Sequence, residues 1–129
     1  MQYALLLFEA ADDFTRREDP ERQGAYYGAH GDFLRALTQA GVAAQSGVGG
    51  AALQPPHSAT IVRKRGGARQ VVDGPYSDIK EQLGGICLIE VDGLDAALAW
   101  AERCPTASTG SVEVRPLFYP PASLFDPPA

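Results

Sequence analysis

His30 and Asp73 are the two residues of this chain whose types best suit proton transfer. His30 falls inside an apolar helical stripe rather than on a polar face, and a buried imidazole demands a hydrogen-bonding partner. Gly28 and Gly31 flank it. A glycine in a helix interior costs roughly 1 kcal/mol relative to alanine, so the pair suggests close approach by a ligand or by strand backbone. Asp73 precedes Gly74-Pro75. From there its carboxylate can bond the amides of the turn or reach across a sheet to an imidazole. A His-Asp pair has a chemical use: the carboxylate selects one imidazole tautomer and raises its basicity, leaving the other nitrogen as a general acid or base near neutral pH. Each residue also has a structural reading, as a core histidine bonded to a carbonyl or as a turn-capping aspartate.

Around this pair the chain offers little else. Tyr76 projects from the same turn as a packing or ligand-binding ring, and Arg115 and Glu90 are candidate inward polar groups on strands, with Arg115 the second ligand-binding choice. His57, behind Pro55-Pro56, reads as an exposed loop residue. No HxH, HxxxH or HxxE spacing supports a metal, and no cofactor is expected. Ser77 suits a turn, and no serine, threonine or cysteine sits in a nucleophile motif. Cys87 and Cys104 form neither a metal spacing nor a disulfide framework.

The elements that must position these residues follow from periodicity. Met1 to Phe8 and Ile86 to Val91 are nearly continuous apolar runs, which suits central strands covered on both faces. Val42 to Val48 and Ser111 to Leu117 are weaker or alternating, as edge strands are. A first helix is predicted from near Asp19-Pro20 to before Gly41, with Tyr26, His30, Phe33, Leu34, Leu37 and Ala40 as its stripe. A second is predicted from about Leu94 to Arg103, capped by Asp92 and stopped by Pro105. Ser58 to Arg63 and Arg69 to Val72 flank Arg65-Gly66-Gly67-Ala68 as an inserted β-hairpin. The order is that of an α+β, ferredoxin-like split βαβ fold. Both helices then cover one face, so doubly buried central strands need a second sheet on the other, and a homodimer is expected.

Composition bounds the rest. A chain of 129 residues with 45% hydrophobic content fits one domain over 1–118, with a proline-rich tail over 119–129. The run Ala4 to Phe8 is too short to span a bilayer and lacks signal-peptide flanks, so no membrane association and a cytoplasmic location are expected. A net charge of -5 argues against nucleic acid as a partner. The one basic cluster, Arg63-Lys64-Arg65 with Arg69, reads as a solvated hairpin turn.

Val71-Val72-Asp73-Gly74-Pro75-Tyr76, then Lys80-Glu81-Gln82-Leu83-Gly84-Gly85 and the run Ile86 to Val91, resemble the signature of the YCII-related proteins, in the branch called DGPF-domain proteins. Gly41-Val42, Gly50 to Pro56, Ala59 to Arg63 and Gly110 to Leu117 follow in the family's order, so the likeness runs to about Leu117. Two positions depart from it: Ala51 stands where a carboxylate is common, and Tyr76 where phenylalanine is. The resemblance implies a dimeric α/β barrel and a paired histidine and aspartate as active site, at His30 and Asp73. It leaves the reaction open between a small-molecule enzyme or ligand-binding dimer and a regulatory or protein-interaction module associated with a sigma-factor system.

Overall fold

The long apolar run at the N-terminus forms strand β1 (Gln2–Ala10) in the computed structural model, which describes residues 1–44 and 49–119. Nine further helices and strands among the described residues complete the frame: α1 (Ala11–Glu18), α2 (Gln23–Gln39), β2 (Gly50–Ala52), the hairpin β3 (Thr60–Arg65) and β4 (Ala68–Asp73), β5 (Glu81–Glu90), α3 (Leu94–Arg103), the short α4 (Thr106–Thr109), and β6 (Ser111–Pro116), which closes the sheet. The four-stranded order is β2-β5-β1-β6, so the two most apolar strands are central. Pairing is antiparallel throughout, the arrangement of a ferredoxin-like split βαβ fold with β3 and β4 inserted as a separate two-stranded sheet.

Directly paired residues of antiparallel strands share a face. Tyr3 with Ile89 and Leu5 with Cys87 therefore point the same way, and both pairs are buried beneath the helices with Phe33, Leu37, Ala97, Ala101 and Cys104. The opposite parity carries Ala4 with Leu88 and Leu6 with Ile86, all only half-buried. Val112 and Val114 join the helix-covered side, as their alternation with Glu113 and Arg115 predicts.

Several expectations need correction. Helix α1 was not foreseen, since Asp12, Asp13, Arg16, Arg17 and Glu18 leave it little apolar character. Asp13 organises its start: buried at 3% exposure, its Oδ2 accepts the Ala10 N–H at 3.3 Å and the Thr109 hydroxyl at 2.8 Å. The next helix begins regularly at Gln23 rather than at Asp19-Pro20, although Asp19 starts the leading turn, its Oδ1 accepting the Glu21 N–H and its carbonyl the Gln23 N–H. On α2, Tyr26, Phe33 and Leu37 are buried but Leu34 is 54% exposed and Ala40 is exposed, so the stripe is narrower than predicted. The bounds of α3 are as predicted, but its N-cap is Gly93 and not Asp92. At the β2 edge, Ala43 makes a single bridge to Ile89 and the strand proper spans only Gly50–Ala52; residues 45–48 of the expected strand, and the tail beyond 119, lie outside the described residues. The hairpin turns through Gly66 and Gly67 at φ of +55° and +80°, values that glycine adopts freely.

Candidate functional site

Continuing the buried parity of β1 past Leu5 and Leu7 brings the chain to Glu9, a carboxylate 1% exposed. Its charge is compensated from α1: Arg17 Nη2 lies 2.5 Å from Glu9 Oε2, the arginine side chain being 13% exposed. The same guanidinium donates from Nε to the Tyr26 hydroxyl at 3.0 Å, from Nη1 to the Leu53 carbonyl at 2.5 Å and from Nη2 to the Gly84 carbonyl at 3.1 Å. Tyr26 in turn donates its hydroxyl to Glu9 Oε1. Gly84 is required here. A Cβ at that position would run into the Glu9 carboxylate, with Arg17 Nη2 only 3.1 Å away.

His30 stands one turn beyond Tyr26 on α2, with ring centroids 4.6 Å apart. Its Nε2 is 3.9 Å from Glu9 Oε1, outside hydrogen-bond range, and neither ring nitrogen has a hydrogen-bond partner among the described residues. Burial lowers its pKa below the ordinary 6.5, and the Glu9 charge opposes this without overcoming it. The imidazole is therefore held neutral near pH 7. Tyr26 is shifted the other way: burial and the bond to Glu9 raise its pKa and keep it a phenol.

These four groups form the polar end of a cleft of about 660 Å³ between α2 and the β2-β5 edge of the sheet. The cleft exists because the sheet is bare there. Gly50 pairs with Cys87 and Ala52 with Gly85 on the helix-facing side, so the rows beneath α2 carry hydrogen, methyl or thiol where other positions carry large side chains. Leu7, Phe33, Leu34, Leu37 and Ala43 supply apolar walls. Cys87 also lines it, but burial pushes its thiol up to about 11, so it is not a thiolate nucleophile. Gly31 borders the cleft, while a Cβ at Gly28 would meet nothing within 4 Å; among the described residues no strand backbone approaches the helix at either glycine.

The sequence-chosen residues are dispersed. His30 is in the cleft. Asp73 ends β4 opposite Thr60, is exposed and lines neither this cleft nor the cavity beside His57, and no hydrogen bond or ion pair among the described residues joins it to His30. The carboxylate beside the imidazole is Glu9. Tyr76 is 84% exposed with Arg63 stacked at 5.9 Å from its ring centroid. Arg115 pairs with Ala4 in register, on the sheet face away from the cleft, and holds Glu113 at 2.5 Å. His57 is exposed on a single 3-10 turn, Pro56–Ser58, at a second cavity of about 400 Å³ on the far side of Glu9. Among the described residues no His, Cys, Asp and Glu cluster could hold a metal, and no helix is long and apolar enough to cross a membrane. Glu9, Arg17 and the role of Tyr26 escaped the sequence reading. The available signal was a lone carboxylate at a buried parity position after Tyr3, Leu5 and Leu7.

Residues 1–119 match the family described as the YCII-related domain. An uncharacterized protein of Rhizobium meliloti is 46% identical over 77 residues, 57% of this chain, and the chain spans 62% of that relative's length. Among solved structures, a 5-chloro-2-hydroxyhydroquinone dehydrochlorinase from Burkholderia phenoliruptrix, in complex with 2,5-dihydroxybenzoquinone, has a TM-score of 0.51 at 15% identity, covering 93% of this chain and 96% of its own. That likeness is one of fold.

The buried pair makes two expectations measurable. Arg17→Met strands the Glu9 charge and should cost about 3–5 kcal/mol in urea unfolding, and a Glu9→Leu/Arg17→Met double variant should recover much of it; a single-variant loss below about 1 kcal/mol contradicts the arrangement. For His30, folding depresses the pKa, so the unfolded chain takes up the proton first as pH falls. Its contribution is then complete above pH 6.5 and is lost as pH drops through the lower folded value. The stability of wild type relative to His30→Asn, read from urea midpoints, should be constant above pH 6.5 and fall as the solution is made more acid.

Proposed function

We propose a small-molecule enzyme for this chain, which belongs to the YCII-related family, with His30 as the proton-transferring base. The observation that carries the reading is the gathering of Glu9, Arg17, Tyr26 and His30 at one end of an otherwise apolar cleft of about 660 Å³. A cleft of that size suits a compact ring compound. The apolar walls take its faces, and His30 meets a hydroxyl or an acidic C–H at its edge. Held neutral by burial, the imidazole can accept a proton. Glu9 Oε1, 3.9 Å away, then stabilises the imidazolium that forms. Arg17 already has its charge compensated by Glu9, so the site favours substrates that arrive uncharged over carboxylates.

Proton abstraction leading to elimination or isomerisation fits this equipment better than hydrolysis, because Cys87 stays a thiol and no activated hydroxyl lies beside His30 among the described residues. The dehydrochlorinase of similar fold, described with a dihydroxybenzoquinone, supports an oxygenated ring as the substrate class. In this reading Glu9 does the work that the sequence offered to Asp73. Tyr76 and Arg115 contribute only through other surfaces.

A homodimer belongs to the same proposal. Ala4, Leu6, Ile86 and Leu88 form a half-buried apolar face on the side of the sheet away from α2 and α3, and a second sheet is the natural cover for it.

Two experiments address these points. A thermal-shift screen of uncharged phenols and hydroxyquinones should yield a stabilising compound, and for any that is turned over, His30→Ala should lower kcat/KM by about 10²–10⁴-fold. Wild-type kcat/KM should fall on an acidic limb below pH 6.5, and unchanged turnover by His30→Ala sinks the assignment. Separately, Leu6→Glu should convert a dimer to a monomer in light scattering at micromolar concentration; a wild-type monomer under those conditions refutes the dimer.

A further inference from the structure

We infer that the β3–β4 hairpin is an arm that docks on a second copy of this chain, an inference that rests on the homodimer proposed above. The hairpin pairs with itself alone, giving no strand to the four-stranded sheet. A two-stranded hairpin without further support is marginal in water. This one nevertheless presents apolar side chains outward: Val62 and Val71 are directly opposite in register and are 64% and 50% exposed. Six-residue strands make the arm about 20 Å long, enough to cross onto a neighbour.

Its two strands are tied to each other at the root. The Gly74 N–H donates to the Ala59 carbonyl at 2.8 Å, and a Cβ on Gly74 would lie 2.8 Å from that of Ala59. An arm closed at its base and apolar beyond it is built to meet something outside its own chain.

Charge says what that is. Arg63, Lys64, Arg65 and Arg69 against Asp73 give residues 60–73 a net +3, and the chain totals -5, so everything outside the hairpin carries -8. Two copies without their arms repel each other. Each arm brings a block of positive charge to the acidic remainder of the other copy, which favours such a landing site. Asp73 and Tyr76, both outside the cleft of their own chain, travel with it toward the second copy.

Sedimentation equilibrium on the full chain tests this with two variants: Val62→Asp/Val71→Asp, which removes the apolar contact, and Lys64→Glu/Arg65→Glu/Arg69→Glu, which reverses the charge of three exposed residues near the tip and leaves the core untouched. Both should weaken the dimer about tenfold or more, with circular dichroism and the melting transition of the sheet retained. If the first variant unfolds, the tip variant alone decides. A dimer of unchanged affinity in the folded hairpin variants, alongside a monomeric Leu6→Glu, overturns the arm while leaving the sheet-face dimer standing. A wild-type chain that stays monomeric overturns both.

Discussion

The burial of Glu9 is the constraint on which the rest of this structure turns. A carboxylate at 1% exposure is tolerable only when its charge is paired and its lone pairs are filled. Arg17 supplies the charge and Tyr26 a hydroxyl. Because Arg17 also reaches the carbonyls of Leu53 and Gly84, one guanidinium ties α1 and α2 to β1, β5 and the segment after β2. The absence of a side chain at Gly84 is part of the same arrangement, since the carboxylate occupies the space a Cβ would take.

What makes this cluster a candidate site as well as a staple is the emptiness beside it. Gly50, Ala52 and Gly85 leave the sheet bare under α2, and the helix presents Phe33, Leu37 and His30 across the gap. Burial keeps His30 uncharged, which leaves one ring nitrogen able to accept a proton, and the ring makes no hydrogen bond among the described residues. A neutral base, a compensated ion pair and a phenol therefore face an apolar space, an environment in which small electrostatic differences are amplified.

The two faces of the sheet and the inserted hairpin divide the remaining chemistry. One parity of β1 and β5 builds the core and the cleft, and the other builds a half-buried apolar surface bordered by the Arg115–Glu113 pair. The hairpin concentrates four of the chain's 11 basic residues on an otherwise acidic molecule. A close packing contact between Gly74 and Ala59 closes its base.

Local periods along the chain were enough to set the frame. Unbroken apolar runs placed β1 and β5 at the centre, alternation placed Val112 and Val114 inward on β6, and paired glycines marked the hairpin turn. The sequence also picked His30, because a titratable ring in an apolar stripe is a local anomaly. The partner of that ring was not legible. Asp73 stood out through its neighbours in the chain, whereas Glu9, Arg17 and Tyr26 lie on three different elements and become neighbours only when α1 and α2 fold back over β1. Helix α1 was hidden for a related reason: five charged residues out of eight leave it little apolar character until tertiary pairing neutralises Arg17 and buries Asp13. Periodicity is written in near neighbours along the chain, but charge compensation is settled only where the folded backbone brings distant side chains within a few ångströms.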